Sequence, residues 1–175
     1  MTKKIHFIIF VFMISCIKSQ YIKVQYKFTY LTESNNLNSK KEELMTLVTN
    51  NKKSIYFSED KLIGDSLKIQ DSKTLTLPEI IANKNKYKTN SSSIVVIKDF
   101  DKNNLTFYNK IVKTYFTYTQ KINSIDWTIT QEIKKFENYI LKKAIGNFGG
   151  REYTVWYCPE IQIPDGPYKF TGLPG

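Results

Sequence analysis

The chain has 175 residues, which suits one domain that buries roughly two thirds of its unfolded surface and does not favour a second domain. Its formal charge of +10 is carried almost entirely by lysines spread along the chain, which favours an anionic envelope surface over nucleic acid as a partner. Its single histidine, His6, lies in the N-terminal segment, so removal of that segment would exclude Ser-His-Asp and Cys-His catalysis and metal binding through imidazole.

The first 20 residues are typical of a secretion signal. Two lysines precede an apolar run, residues 5–14, which is shorter than the ~20 residues that a membrane span needs. Cleavage after Ser19 or Gln20 would leave residues 21–175 as a single β-rich domain. Cleavage before Cys16 would leave a lipid anchor, and an uncleaved segment would itself be an anchor. The segment predicts export to the periplasm, the outer membrane or the extracellular space.

The cysteine content predicts no internal disulfide. Of the two cysteines, Cys16 is either lost with the signal or acylated, so Cys158 has no partner within the chain. We expect Cys158 to be a small buried apolar residue. An intermolecular disulfide or a reactive thiol is the alternative.

The first strands are indicated by periodicity. Apolar and polar residues alternate from residue 21 to 31, which predicts a half-buried strand of an antiparallel sheet. The polar run 32–41 predicts a loop. Strands at residues 43–49 and 54–57 flank a turn at 50–53, whose asparagines tolerate positive φ and favour a hairpin.

One helix and two less regular segments follow. Ser58 is predicted to cap a helix over residues 59–67, which begins with acidic residues. Residues 75–82 fit either one helical turn or an extended segment, since Pro78 suits both. Residues 83–93 are polar except for one tyrosine and predict a mobile loop.

The second half of the chain predicts a series of strands separated by short polar turns. They are rich in β-branched and aromatic residues and span residues 94–97, 104–108, 111–119, 127–136, 139–145 and 153–158. The predicted fold is mainly β, α+β at most. We expect about nine strands and one or two short helices, with the strands in a strongly curved antiparallel sheet or an open barrel-like meander.

Residues 149–175 contain four of the five prolines and five of the seven glycines, so backbone shape is specified more tightly here than elsewhere. Residues 164–167 predict a turn with Gly166 at positive φ. Residues 172–175 predict a second tight turn that directs Leu173 into the core. We interpret this stretch first as a structural corner and second as a binding loop.

The charged residues of this stretch do not predict an active site. Arg151 is expected to pair with Glu132 or Glu160 at the sheet rim, and binding of a carboxylate or phosphate is its alternative role. A carboxylate-dependent hydrolase would need Glu152, Glu160 and Asp165 to converge, but a regular strand puts the two glutamates ~27 Å apart at ~3.3 Å per residue. No acidic run has the composition of a calcium loop. The sequence predicts no catalytic residue, no cofactor and no metal site.

Several short motifs occur in order: Trp127-Thr-Ile-Thr-Gln-Glu, Lys142-Lys143-Ala144, Gly150-Arg151-Glu152-Tyr153-Thr-Val-Trp156-Tyr157, Glu160-Ile161, Gly166-Pro167-Tyr168-Lys169-Phe170 and Gly172-Leu173-Pro174-Gly175. This pattern resembles the GLPGLI family, secreted proteins of Bacteroidota named for the motif in which this chain ends. The resemblance covers residues 21–175, and its specific motifs lie in 127–175. It implies a secreted β-rich protein, and the family has no established biochemical activity.

The chain departs from the family pattern in two places. Leu141 stands where the family often has a cysteine before its Lys-Ala pair. The chain also stops at Gly175, where the family continues with Leu-Ile and further strands. We therefore expect a C-terminally truncated copy with an exposed sheet edge, which is an aggregation liability.

The functional expectation is a non-enzymatic exported protein that binds a partner protein or a surface ligand at the outer membrane, with peripheral membrane association and no nucleic acid. The alternative is a periplasmic carrier of an apolar ligand on a curved half-barrel sheet, and a hydrolase ranks third. The candidate binding surface consists of Arg151, Trp156, Tyr157, Glu160, Gly166, Pro167, Lys169, Gly172, Leu173, Pro174 and Gly175.

Overall fold

The computed structural model describes residues 20–33, 35–87, 91–122 and 125–175. Residues 1–19 of the predicted signal, Cys16 among them, lie outside this part. Within it the chain forms nine β-strands and two α-helices, and the strands form two antiparallel sheets, neither of which closes into a barrel. The prediction of a mainly β, antiparallel fold with one or two short helices is confirmed.

The first sheet has six strands in chain order, each antiparallel to the next. They are β1 (Ile22–Leu31), β2 (Lys40–Thr49), β3 (Lys53–Ser58), β4 (Val95–Asp99), β5 (Asn104–Ile111) and β6 (Thr114–Lys121). The hairpin between β2 and β3 is confirmed, with Asn51 at a φ of 66°. Two predictions in this sheet were wrong. The predicted loop at 32–41 contains a short 3₁₀ helix, Leu37–Ser39, and its last two residues belong to β2. Ile111 ends β5 rather than beginning the next strand, because the turn into β6 begins at Val112, whose φ is 57°.

Both helices lie between β3 and β4. Helix α1 (Glu59–Asp71) begins where predicted, since the Ser58 hydroxyl accepts from the Lys61 amide at 3.1 Å, but it runs four residues past residue 67. The open alternative at residues 75–82 is resolved as α2 (Leu77–Ala82). Its start is fixed by Glu79, whose carboxylate accepts from the Thr76 amide at 2.7 Å.

The connection from α2 back to the sheet is partly ordered. A short 3₁₀ helix, Lys84–Tyr87, buries Tyr87, whose hydroxyl donates to the Asp71 carboxylate at 2.8 Å. The predicted loop at 83–93 is therefore wrong for these residues, and residues 88–90 lie outside the described part. Buried Glu43 of β2 holds both ends of the helical connection between β3 and β4. Its carboxylate accepts hydrogen bonds from the Ser58 hydroxyl, at the start of this connection, and from the Ser92 amide, near its end, at 2.8 Å.

The second sheet has three strands in the order β7 (Thr128–Phe136), β8 (Tyr139–Phe148) and β9 (Arg151–Tyr157). The predicted single meander thus divides after β6, and β7 and β9 form the edges of the second sheet. Gly146 in β8 permits a close approach, since a Cβ there would lie 2.6 Å from Cε3 of Trp127. The absence of a side chain at 146 lets the indole of Trp127 approach the backbone of β8 closely.

The six-stranded sheet has one face that carries the apolar core. This inner face holds the buried cluster Met45, Leu47, Tyr56, Val96 and Leu105, each at most 5% exposed. The opposite, outer face receives the start of α1, where the Glu59 carboxylate accepts hydrogen bonds from Lys23 and Gln25 of β1. The fold therefore leaves the inner face to be covered by the last part of the chain.

Candidate functional site

The C-terminal segment, residues 158–175, lies against the inner face and joins the two sheets. Tyr168 packs on the core cluster, and its ring centroid is 6.0 Å from that of Phe107 in β5. Phe170 contacts the second sheet, with its ring 4.9 Å from Tyr153 and 6.0 Å from Phe148. Two adjacent aromatic anchors thus bind one segment to both sheets.

A buried ion pair fixes the turn of this segment. Lys98 of β4 and Asp165 have fully buried side chains, and the Lys98 ammonium donates to Asp165 Oδ1 at 2.5 Å. It also donates to the carbonyl oxygens of Gly166 at 2.8 Å and Phe170 at 3.0 Å. All three ammonium hydrogens therefore have partners, which is the condition under which a buried lysine is tolerated.

Burial governs the ionisation of the groups around this pair. Burial lowers the pKa of the Lys98 ammonium, and the charge of Asp165 opposes that lowering. Burial, with a smaller contribution from the negative charge of Asp165, also raises the pKa of Tyr26 to about 12. Tyr26 is therefore a phenol, able to donate a hydrogen bond, throughout the physiological range.

Lys169 packs on aromatic rings at the other side of the segment. Its ammonium lies 4.3 Å from the ring centroid of Phe107 and 4.7 Å from that of Tyr168, and it donates to the Tyr118 hydroxyl at 2.6 Å. Partial burial lowers the pKa of Lys169, but the hydrogen bonds to the two tyrosines outweigh it and the net direction is upward. Lys169 therefore attaches the C-terminal segment to β5 through the ring of Phe107 and to β6 through the Tyr118 hydroxyl.

A cavity of about 300 Å³ lies where the segment meets both sheets. Its walls are mainly apolar, and they include Trp127, whose indole N–H donates to the Thr171 carbonyl at 2.9 Å. The polar groups at its boundary include Tyr26 and Asp165. We call this space the junction cavity.

The predicted site residues of β9 and the turn after it do not assemble around a ligand. Arg151 and Glu160 are exposed, and the expected ion pair of Arg151 with Glu132 was wrong, because Glu132 pairs with Lys143 at 2.6 Å. No ion pair joins Arg151 to Glu160 in the described part of the chain. Tyr157 is buried.

Trp156 and Tyr157 point to opposite environments, as neighbours in a strand do. Trp156 is half-exposed on the outside of the second sheet, with the Lys134 ammonium 6.0 Å from its ring. Cys158, directly after β9, is 4% exposed, which confirms that it is a buried residue.

The two predicted turns are present, but the positive φ angle in the first of them lies at a different residue from the one predicted. Asp165 and Thr171 form an isolated antiparallel bridge, so the chain reverses between them. The positive φ lies at Tyr168, at 56°, rather than at Gly166 as predicted. In the last turn Gly172 has a φ of 95°, and Leu173, which was expected to fill the core, is half-buried at the wall of the junction cavity.

Three further signature residues complete the segment. Pro167 accepts from the Phe170 amide at 3.1 Å, and it borders the junction cavity. Pro174 is half-buried. Gly175 has a φ of 89° and donates from its amide to Ile163 at 3.1 Å, and a Cβ there would lie 2.8 Å from the Cys158 carbonyl oxygen, so a side chain does not fit.

Sequence reasoning missed Lys98, Tyr26 and Trp127 as members of this site. A signal for Lys98 was present, because it follows Val96 at a spacing of two and therefore shares the core-facing side of β4. Lysine is rarely buried, so a lysine at a core-facing position of a strand is not expected to belong to the core.

Two further features are exposed at the surface. The distal hairpin, residues 133–142 of β7 and β8, exposes Ile133, Phe136, Tyr139 and Ile140 by 67%, 55%, 41% and 44%. A groove of about 700 Å³ runs between α1 and strands β4 to β6 on the outer face, and exposed apolar residues and lysines line it.

The three acidic residues that a hydrolase would need do not converge, because one is buried and two are exposed. Asp165 is held by Lys98 in the interior, whereas Glu152 and Glu160 are exposed. Within the described ranges no group of three or more histidine, cysteine or acidic side chains could hold a metal ion. No helix in the same ranges is long and apolar enough to cross a membrane.

No protein-family model matches this chain, and no curated protein matches it. Two solved structures of PNGF-II are similar, each at 16% sequence identity. The C2 crystal form has a TM-score of 0.49 over 85% of this chain and 22% of that chain, and the P21 form has 0.45 over 80% and 21%. This chain therefore spans about a fifth of their length. At this level of similarity no function follows, and the resemblance to the GLPGLI family stays a prediction.

Proposed function

We propose that the protein is a non-enzymatic exported protein that attaches to an anionic surface of the outer membrane. The observation that carries the proposal is the distal hairpin, where four large apolar side chains are more than two fifths exposed. Exposed apolar groups concentrated in one element mark an interaction site. The apolar run at the N-terminus and the motif resemblance support the exported location.

The charge of the distal hairpin favours an anionic lipid surface as the partner. Residues 133–142 contain three lysines and one glutamate, which gives a net charge of 3 − 1 = +2. Aromatic and aliphatic side chains flanked by lysines are typical of segments that insert at a membrane interface. Each lysine near an anionic surface contributes about 1 kcal/mol to such binding.

Co-sedimentation of the purified protein with lipid vesicles tests the proposal. We expect binding to phosphatidylglycerol vesicles, weaker binding to phosphatidylcholine vesicles, and a loss of binding as salt screens the lysines. The double substitution Phe136→Ser/Ile140→Ser should abolish binding. Tyr115→Ser is the matched control, because Tyr115 is 77% exposed in the β5–β6 hairpin of the first sheet.

Two results would overturn this assignment. Equal binding by the double variant and the wild type would show that the distal hairpin is not the contact. Binding to neither kind of vesicle would refute lipid attachment, and the partner of the hairpin would then be an envelope protein.

A second function, the carrier of an apolar ligand, is favoured by the groove on the outer face. It is lined by the exposed side chains of Ile97, Tyr108 and Tyr115, and by Lys68 and Lys110. Such a groove suits a long-chain fatty acid, whose carboxylate the lysines would bind. Calorimetric titration with a fatty acid distinguishes the two functions, since a carrier binds the free ligand and keeps its affinity in the Phe136→Ser/Ile140→Ser variant.

A further inference from the structure

The buried side chains of Lys98 and Asp165 are an amine and a carboxyl group, which together can form an amide bond. The Lys98 Nζ atom lies 2.5 Å from Asp165 Oδ1, and neither side chain has any exposed surface, so bulk water does not separate the two groups. Groups held in the right geometry within one molecule reach effective molarities of roughly 10⁵–10⁸ M. The arrangement therefore meets the first requirement of a condensation, which is proximity.

The two carboxyl oxygens of Asp165 have different surroundings. Oδ1 accepts hydrogen bonds from the Lys98 ammonium and from the Gly166 amide at 2.9 Å. Oδ2 is buried and accepts no hydrogen bond from the residues that the structure describes. A buried acceptor without a donor is rare and unfavourable. Condensation would remove this cost, because Oδ2 would depart as water while Oδ1 stayed as the amide oxygen bonded to the Gly166 N–H.

The interior also favours the uncharged forms that react. Burial lowers the pKa of the Lys98 ammonium, although the charge of Asp165 opposes that lowering. Transfer of a proton from Nζ to the carboxylate gives a neutral amine and a carboxylic acid, which removes two charges from the interior. The amine is then a nucleophile next to the carboxyl group. The Gly166 N–H is placed to stabilise the negative charge that develops on Oδ1.

We propose that Lys98 and Asp165 condense in the folded protein to form an intramolecular amide cross-link between β4 and the C-terminal segment. The Nζ–Cγ bond forms and the Cγ–Oδ2 bond breaks. Two of the three ammonium protons leave with Oδ2 as water and the third stays on the amide nitrogen, so the step needs no oxidant and no other reactant. The remaining N–H keeps one of its two carbonyl partners, Gly166 at 2.8 Å or Phe170 at 3.0 Å.

The cross-link would fix the C-terminal segment on the inner face permanently. It joins two residues that are 67 positions apart, and a covalent link of this kind stabilises a fold mainly by constraining the unfolded chain. It lies apart from the distal hairpin and does not depend on attachment to a membrane.

Mass spectrometry of the purified, denatured protein tests the cross-link directly. Once the N-terminus has been determined, the wild type should be about 18 Da lighter than its sequence requires, through the loss of one water. Trypsin does not cleave after an acylated lysine, so its digest should contain a branched peptide that joins residues 89–102 to residues 152–169. Asp165→Ala and Lys98→Arg should both have their full sequence mass, since the first lacks the carboxyl group and the second lacks the amine.

The ion pair of Lys143 and Glu132 is the matched control within the same digest. Its N···O distance of 2.6 Å is close to that of the buried pair, but its side chains are 22% and 58% exposed. Solvated charges have no reason to give up their protons, so trypsin should cleave normally after Lys143. The proposal is wrong if the wild type has its full sequence mass, if the loss of water persists in Asp165→Ala, or if the branched peptide is absent.

Discussion

At the inner face a charged residue is buried, whereas in the distal hairpin apolar residues are exposed. Lys98 has no exposed side-chain surface and bonds to the C-terminal segment three times. Phe136 and Ile140 are about half exposed and belong to a sheet of three strands. The difference indicates that the first region serves the architecture of the fold, and it is the basis for the contact proposed for the second region.

Removal of the buried Lys98 ammonium should lower the stability of the protein more than any other change considered for these two regions. Lys98→Met leaves Asp165 as an unpaired charge in the interior, so we expect the free energy of unfolding to fall by about 3–5 kcal/mol. Urea denaturation monitored by circular dichroism measures it.

The matched control for Lys98 is an exposed lysine in the same sheet. Lys53 pairs with Asp99 at 3.5 Å and is 62% exposed, so Lys53→Met should cost no more than about 1 kcal/mol. Equal costs for the two variants would refute an architectural role for Lys98.

Alkaline pH should lower the free energy of unfolding through Tyr26 of the inner face, by less than the loss of Lys98 does. Burial raises the pKa of Tyr26 from 10.0 to about 12. Below about pH 10 both states are protonated and the stabilisation is complete; between about pH 10 and 12 the unfolded phenol ionises first, so stability falls as pH rises. The two-unit difference corresponds to at most about 2.7 kcal/mol, and to less where water reaches the half-buried ring.

Denaturation by urea at about pH 9 and about pH 11.5 isolates this contribution by linkage. Tyr26→Phe should lose less stability over this interval than the wild type does. Tyr139→Phe serves as the control, because Tyr139 is 41% exposed in the distal hairpin, and it should keep the wild-type loss. An identical alkaline loss in the Tyr26→Phe variant would contradict the prediction.

The distal hairpin should give the smallest effect on stability. Phe136→Ser/Ile140→Ser removes side chains that are 55% and 44% exposed, so the free energy of unfolding should change by less than about 0.5 kcal/mol for each substitution. Differential scanning calorimetry measures the change. A loss above about 2 kcal/mol would show that the hairpin packs into the fold, and would remove it as a binding surface.

Local patterns predicted the elements well because they are properties of neighbouring residues. Strict alternation indicated β1, and paired asparagines indicated the turn between β2 and β3. The segment around Pro78 stayed ambiguous, since proline suits both conformations, and the Glu79 carboxylate decides it by capping α2.

Long-range relations could not be predicted from such patterns. A period of two identifies a strand but not its neighbours, so the division of the nine strands into two sheets was not foreseen. Asp165 was noted as a charged member of the signature, but its partner lies 67 residues away in β4. The junction cavity depends on that pairing, and it was missed for the same reason.

The separation between Lys98 and Asp165 has a consequence for the order of folding. Contacts between residues far apart in sequence carry a high entropic cost and form slowly, so we expect the six-stranded meander to form before residues 158–175 dock on it. Until then the aromatic inner face and an unpaired ammonium are open to water. A newly synthesised chain in this partly folded state would be the form that proteases and chaperones encounter.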